Sequence, residues 1–317
     1  MAKKLVFGVV LAIISSFGYV GHAVEKLNFG TATKTSPHYA LPMLAGDEKG
    51  FWKEQGLDVT WVPFNSGAAH MQGLAAGAIQ IGLTSAGDTI ISRARGVPVI
   101  LVGDLKYVQP WYLVAMTGSK IKTSEDIKGA KVSISRLGSL SHVYARVASK
   151  ALGLEGSLRF VATGGVPQSV AALKAGTADV LSMPLGVVAN LLYAGEIRIV
   201  VDMSRYIPKS HGDTAIPALR DFVRKNPETI KRGLAGLVKA VDFLNKNEEW
   251  AVQKMISASG FTPEAARGLA PRLKFSTDIK LDQKQVAEIQ EFLVNYDLLP
   301  RQEASALQEV FTNEYAP

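Results

Sequence analysis

Between residues 59 and 85 the chain reads as a β-rich apolar run (VTWVPF) and a polar break at Asn65-Ser66-Gly67. A short helical stretch then ends in Leu74-Ala75-Ala76-Gly77, and a second apolar run covers 79–83. Ninety-nine positions later the same order returns: RFVAT, Gly164-Gly165, a helical stretch ending Leu173-Lys174-Ala175-Gly176, and an apolar run over 178–182. In each copy a glycine follows the helix, where left-handed backbone costs it least and the helix stops. The likeness extends upstream, where Gly56-Leu57-Asp58 and Gly153-Leu154-Glu155 precede the two copies. Before these, the β-rich runs 27–31 and 131–135 each lead into a serine-bearing loop and a helix with an early histidine, Thr35-Ser36-Pro37-His38-Tyr39 and Ser139-Leu140-Ser141-His142. Each half therefore predicts strand, helix, strand, helix, strand. That alternation means two α/β units with mainly parallel sheets and right-handed crossovers. Alanine and glycine bias alone is the competing explanation, but it does not readily produce four features in one order.

After Arg205 the β pattern stops. Asn226-Pro227-Glu228 supplies a cap, a proline at the first helical position and an acid in the first turn. Ile230, Leu234, Leu237, Val241 and Leu244 then form one apolar stripe. Thr262-Pro263-Glu264 opens another helix, and Asp282 with Gln285 forms a capping-box variant ahead of Val286, Ile289 and Leu293. This helical tail has no strands of its own and is expected to cover the first sheet. The apolar runs 97–102, 112–116 and 197–201 are candidate hinge strands. They place lobe 1 at 24–112 and 204–317 and lobe 2 at 113–203.

Composition narrows the setting. In 317 residues there is no cysteine, which removes disulfides, thiolate metal sites and cysteine nucleophiles. Residues 1–23 carry Lys3 and Lys4, the short apolar run 5–14 and small residues at Gly21 and Ala23, the pattern of a cleavable secretory signal peptide. With no cysteine behind that run a lipid anchor is not expected, and a periplasmic protein is. Residues 24–317 hold 33 basic and 28 acidic side chains, a formal charge of +5, with both signs interspersed as in 120–126 and 221–224. Such scatter is a solvated surface, and no nucleic-acid or lipid partner is expected.

The motifs of common secreted hydrolases are absent: G-x-S-x-G, S-x-x-K with K-T-G, and H-E-x-x-H, as are the phosphate-binding glycine patterns. His70 and His211 stand without metal-type neighbours and read as structural; no metal or cofactor is expected. Paired α/β units turn the carboxyl ends of their strands, and the following helix N-termini, toward a shared cleft. Free N–H groups there suit an anionic head group. Candidate ligand contacts are Ser36 and His38 in the first half and Gly138, Ser139 and Ser141 in the second. The repeat adds Ser66 and Gly67 opposite Gly164 and Gly165, and Thr84 and Ser85 opposite Met183 and Pro184. Each serine reads equally as a plain helix cap. Arg136 is a candidate bidentate anion contact and Lys34 a supporting charge. Tyr39, Trp111 and Tyr112 are candidate pocket walls or core residues.

GDEKGFWKEQGLDV (46–59), NSGAAHMQGLAAGAIQIG (65–82), EDIKGAKVSISRLGSLSH (125–142) and VAALKAGTADV (170–180) occur in that order. As a set they resemble the solute-binding proteins of ABC importers that take sulfonates, taurine, nitrate or the pyrimidine precursor of thiamine. The resemblance covers essentially the whole chain beyond the leader. It implies a type II periplasmic binding fold with two crossing strands. It further implies a monomer that binds a small molecule without chemistry and delivers it to an inner-membrane permease. Carried over by position, the family's cleft contacts fall on Ser36, His38, Ser66, Gly67, Thr84, Ser85, Gly138, Ser139 and Ser141. The enzyme branch of similar fold carries a cysteine-rich motif that this chain lacks. A secreted enzyme acting on a pyrimidine-like or small acidic substrate, and a receptor for a membrane sensor, are the alternatives.

Overall fold

The computed structural model describes residues 24–208, 211–307 and 309–317; the leader expected over 1–23 lies outside the described residues. The first sheet contains β1 (Glu25–Thr31), β2 (Leu57–Pro63), β3 (Ile81–Leu83), β4 (Val99–Asp104) and β10 (Ala215–Leu219), in the order β2-β1-β3-β10-β4. The second contains β5 (Trp111–Met116), β6 (Lys131–Ile134), β7 (Arg159–Ala162), β8 (Val180–Pro184) and β9 (Ile197–Asp202), in the order β7-β6-β8-β5-β9. The two orders are the same pattern. β1 pairs in parallel with β2 and β3, as β6 does with β7 and β8. In each sheet the next place is taken by a strand that has crossed from the other lobe. β10 runs antiparallel to β3 and β4, and β5 antiparallel to β8 and β9. Four strands of five in each sheet thus point one way, as the repeat predicts, while the inserted crossing strand makes both sheets mixed. The expected lobe boundaries fall inside β5, whose Trp111 already pairs with Pro184, and at the short 3-10 turn Met203–Arg205.

The first lobe carries α1 (Pro37–Glu48), α2 (Phe51–Glu54), α3 (Gly67–Ala75) and α4 (Ala86–Ala94); the second carries α5 (Leu140–Ala151), α6 (Val166–Lys174) and α7 (Leu185–Tyr193). The tail is α8 (Arg220–Lys225), α9 (Pro227–Lys246), α10 (Glu248–Ser259), α11 (Pro263–Leu269), α12 (Gln283–Asn295) and α13 (Arg301–Ala306). The stripe of α9 is buried from Ile230 to Leu244 and packs on α1 and α2. Gly46 of α1 and Gly236 of α9 both lie against the Trp52 ring, where a Cβ would come within 2.1 and 2.6 Å of ring carbons. Three helices therefore interlock around one indole, and side chains at either glycine would push them apart.

The tail does more than cover the first sheet. α11 packs on α7 of the second lobe, where Asn190 donates to the Gly260 carbonyl (2.9 Å) and accepts from the Thr262 N–H (3.0 Å). Val286, Ile289, Phe292 and Leu293 of α12 join one apolar core with Trp111 and Tyr144, and Arg146 of α5 pairs with Asp297 at 3.2 Å. An amphipathic helix buries its stripe wherever apolar surface is offered, and both lobes offer it.

Candidate functional site

The strand ends and helix N-termini of both lobes meet around a cavity of about 60 Å³. On the lobe 2 side, β6 ends at Ile134 and Gly138, at φ 77°, lets the chain turn back into α5. That turn brings three lining serines into a triangle of hydroxyls: Ser135–Ser139 at 3.0 Å, Ser135–Ser141 at 3.1 Å and Ser139–Ser141 at 2.9 Å. Ser139 is the N-cap residue of α5, yet its side chain caps no N–H of that helix; its hydroxyl reaches the Arg136 carbonyl at 2.7 Å. The same holds elsewhere around the cavity. α1 starts at Ser36, α6 at Gly165 and α7 at Pro184, and none of the three has a side-chain cap. By contrast Ser66 accepts from the Ala69 N–H in α3, and Ser85 from the Asp88 N–H in α4. Four uncapped helix starts contribute their partial positive ends to one small space.

The lobe 1 and hinge side differs. Asp88, in the first turn of α4, lines the cavity and accepts from the Thr84 hydroxyl at 3.3 Å. Its Oδ2 lies so close to Gly67 that a Cβ there would stand 2.0 Å away. Burial raises the Asp88 carboxyl above its usual range, and the Ser85 and Thr84 bonds oppose that only in part. Gln109, on the segment between β4 and β5, also lines the cavity; its N–H donates to Asp213 Oδ2 at 2.9 Å. Gln109 Oε1 and Asp213 Oδ1 are buried without a hydrogen-bond partner. Burial pushes the Asp213 carboxyl up to about 8, with the charges of Asp104 and Asp88 adding to it. Among the described residues, no lysine or arginine lines this cavity. The remaining wall is apolar, with Val166, Met183 and Val187 prominent, and Trp111 is fixed by its indole bond to Ser182 (3.0 Å) and by edge-on contact with Tyr144.

Of the residues singled out from the sequence, Ser36, Tyr39, Ser66, Gly67, Ser139, Ser141 and Met183 line the cavity, together with Pro184 and Trp111. His38 does not: it points into the lobe 1 core, 1% exposed, stacked on Tyr107 at 5.1 Å, and burial lowers its pKa to about 3. Thr84 and Ser85 sit behind the wall and hold Asp88. Gly165 stands one residue outside it, next to Val166. Arg136 and Gly138 lie on the outer side of the α5 turn, Arg136 half-buried and Gly138 exposed, and the Gly138 N–H donates to His142 Nδ1 at 3.0 Å. Lys34 is exposed and is not among the lining residues. Tyr112 faces the opposite side of β5 from Trp111, as strand alternation requires. His70 fills the space over Gly30 and Gly82 in the core, and His211 meets the Tyr144 hydroxyl at 3.1 Å. Sequence reasoning passed over Thr33, Asp88, Gln109, Ser135, Val166 and Val187. Asp88 had a signal: it follows the helix cap Ser85 by three, the spacing of a capping box.

A family model described as NMT1/THI5 like matches residues 38–251. Over 208 residues the chain is 23% identical to a binding protein of Brucella abortus, a stretch covering 65% of this chain and 63% of that one. It is 24% identical over 291 residues to the taurine-binding periplasmic protein of Escherichia coli, covering 87% and 86% of the two chains. It is 22% identical over 249 residues to a 4-amino-5-hydroxymethyl-2-methylpyrimidine phosphate synthase of Saccharomyces cerevisiae, covering 70% and 68%. The structure is similar to the alkanesulfonate-binding protein of Xanthomonas axonopodis pv. citri bound to MOPS, with TM-score 0.76 and 16% identity over 87% of this chain and 95% of that one. The fold is that of periplasmic binding proteins.

Proposed function

Because the chain belongs to the NMT1/THI5-like family, we propose that it is the periplasmic solute receptor of an ABC importer. In this reading it acts as a monomer, captures a small organic anion between its lobes and delivers it to a membrane permease without changing it. The observation that carries this reading is the convergence of four uncapped helix starts and the Ser135–Ser139–Ser141 triangle on one cavity. Backbone N–H groups and rotatable hydroxyls are the donors an anionic head group needs. They also explain how an anion is held where the described lining residues include no basic side chain. A ligand touching α1 and α5 together bridges the lobes, so it favours the closed arrangement by its differential contacts. Opening at the segments 105–110 and 211–214 admits it.

A second reading, an enzyme on the same fold, draws on the similarity to the yeast synthase. The two part on turnover. We expect thermal unfolding of the purified protein to shift upward with one class among sulfonates, carboxylates, nitrate and pyrimidines. A ligand at 100 times its dissociation constant adds about 2.7 kcal/mol. Recovery of that ligand unchanged after incubation supports the receptor. Conversion of the ligand, or no shift with any small anion, sinks the proposal.

A further inference from the structure

The turn that leads into α5 carries the serine triangle, and something must hold it. Leu137 is 70% exposed and Gly138 is exposed, so little packing fixes the tip, and its shape rests on hydrogen bonds. In α3 and α4 the cap serine supplies one, accepting from the N–H three residues on, at Ala69 (3.2 Å) and Asp88 (3.0 Å). In α5 the residue three on from the cap is His142, and Ser139 accepts nothing from its N–H, its hydroxyl being turned into the triangle. There the bond runs the other way. His142 Nδ1 accepts from the Gly138 N–H at 3.0 Å, the reach-back half of a capping box made by an imidazole and carried one residue further upstream. The ring is half-buried and set by edge-on contact with Phe160 of β7 at 5.0 Å. It does not itself line the cavity.

We propose that His142 is a positioning residue for the anion site: by holding the Gly138 turn, it leaves the Ser139 hydroxyl and the start of α5 to the head group. A capping serine takes up a helix N–H that an anion would otherwise use, and the histidine bond spares it. The role requires a neutral ring with its proton on Nε2, because a cationic imidazole has no acceptor. Burial, and then the charge of Arg146 one turn along α5, hold the His142 pKa below its usual value and so favour the neutral ring. Arg146 is itself paired with Asp297, and Phe160 does not titrate. The matching helix of lobe 1 lacks the device, since the early histidine of α1, His38, is stacked on Tyr107 in the core.

This inference rests on the receptor reading. The test is calorimetric titration of the purified protein with methanesulfonate, benzoate and nitrate, the tightest of them serving as the probe. His142→Leu, which removes the acceptor, should weaken the probe about fivefold, the scale of one hydrogen bond. His142→Asn, whose Oδ1 replaces Nδ1 as an acceptor and does not titrate, should bind within about twofold of the parent. Both variants should keep a thermal midpoint within a few degrees of the parent. The parent-to-Asn ratio of affinities, in which Asp88 and the probe cancel, should fall as pH drops from about 7.5 to about 5, because protonation breaks the bond in the parent alone. A ring that met the anion directly would hold it more tightly when charged, so a flat or rising ratio overturns the proposal. A Leu variant that binds as the parent does overturns it too, as does an Asn variant as weak as Leu, which would make packing on Phe160 the cause. Should the Leu variant not fold, the pH ratio decides. If the unaltered protein binds none of the three anions, the receptor reading falls and this inference with it.

Discussion

The two lobes are built alike and furnished differently. Both have the same strand order, and residues 99 apart line the cavity from opposite sides: Gly67 and Val166, Asp88 and Val187. In lobe 1 the side chains of Ser66 and Ser85 cap their own helices, and a carboxyl occupies the first turn of α4. In lobe 2 the matching positions are Gly165 and Pro184, whose helices start without a side-chain cap. There Ser169 has turned its hydroxyl to Thr163, at 2.6 Å, and to the Gly165 carbonyl. The backbone repeat thus makes a two-sided vessel, and the side chains give it polarity.

The strongest way to break the asymmetry is to copy lobe 2 into lobe 1. Gly67→Val gives lobe 1 the residue that its counterpart has, but where Val187 stands in lobe 2, lobe 1 has Asp88, which lies against Gly67. The new Cβ would stand 2.0 Å from Asp88 Oδ2. We expect a loss of about 1–3 kcal/mol in urea unfolding from overpacking, together with loss of ligand binding. The reciprocal Val166→Gly should retain binding. If both variants bind alike, the pairing of Gly67 with Asp88 has no special role.

Titration sharpens the same comparison, because the buried carboxyls cluster on the lobe 1 and hinge side. Asp213 is protonated in the folded protein to about pH 8 but ionised in the unfolded chain above about pH 4. The folded state then binds more protons, so stability falls as pH rises through that window. His38, His70 and His211, with pKa values near 3, 3 and 4 in the fold, act the other way. Their unfolded forms take up protons below about 6.5, so they add stability as pH rises from 4 to 6.5 and nothing above it. Asp104, near 6 in the fold, opposes them in the lower window. From pH 6.5 to 8 the Asp213 contribution stands largely alone, among neighbours Asp88, Asp104, Tyr39, Tyr107 and Tyr144 that couple to it. Ligand-free stability should drop across that interval by an amount on the order of 1–2 kcal/mol, and Asp213→Asn should flatten the drop. A slope that survives in Asp213→Asn means another group carries it.

The donor side is probed by Ser139→Leu. The hydroxyl of Ser139 caps no helix N–H, so its loss should leave the fold intact while the larger side chain blocks the triangle. We expect at least a tenfold loss of anion affinity, about 1.4 kcal/mol, with a thermal midpoint within a few degrees of the parent. An unfolded variant would place Ser139 in the core instead.

What the sequence disclosed, and what it hid, follows the range of the interactions. The repeat was legible because β-rich runs, helix stops and caps are local: Gly77 and Gly176 end their helices with φ 72° and 71°. The strand direction was legible for the same reason, whereas the mixed pairing depended on where the crossing strands β5 and β10 insert. Seven of the thirteen proposed contacts line the cavity, since a strand end followed by serine and a helix marks the place. Which face of α1 turns inward was not readable, because α1 is buried on nearly every side and has no polar stripe to orient it. Tyr39 thus faces the cavity and His38 the core. Gln109 gains its meaning from Asp213, 104 residues away, and Asn190 from Gly260 and Thr262, so neither leaves a mark in its own neighbourhood.

Arg136 tests the smallest effect and separates two sources of anion selectivity. On charge alone it was the natural anion contact, and a guanidinium at the cavity wall would be worth tenfold or more on reversal. Arg136 is half-buried and is not among the residues that line the cavity, and a charge with access to solvent is weakened at physiological salt. If the head group is held by helix starts and hydroxyls, Arg136→Glu should change affinity less than twofold at 0.15 M salt, with a somewhat slower association rate at low salt. A tenfold loss would mean that the turn bearing Arg136 folds inward over the ligand. The donor side of the cavity would then owe its selectivity to a charge.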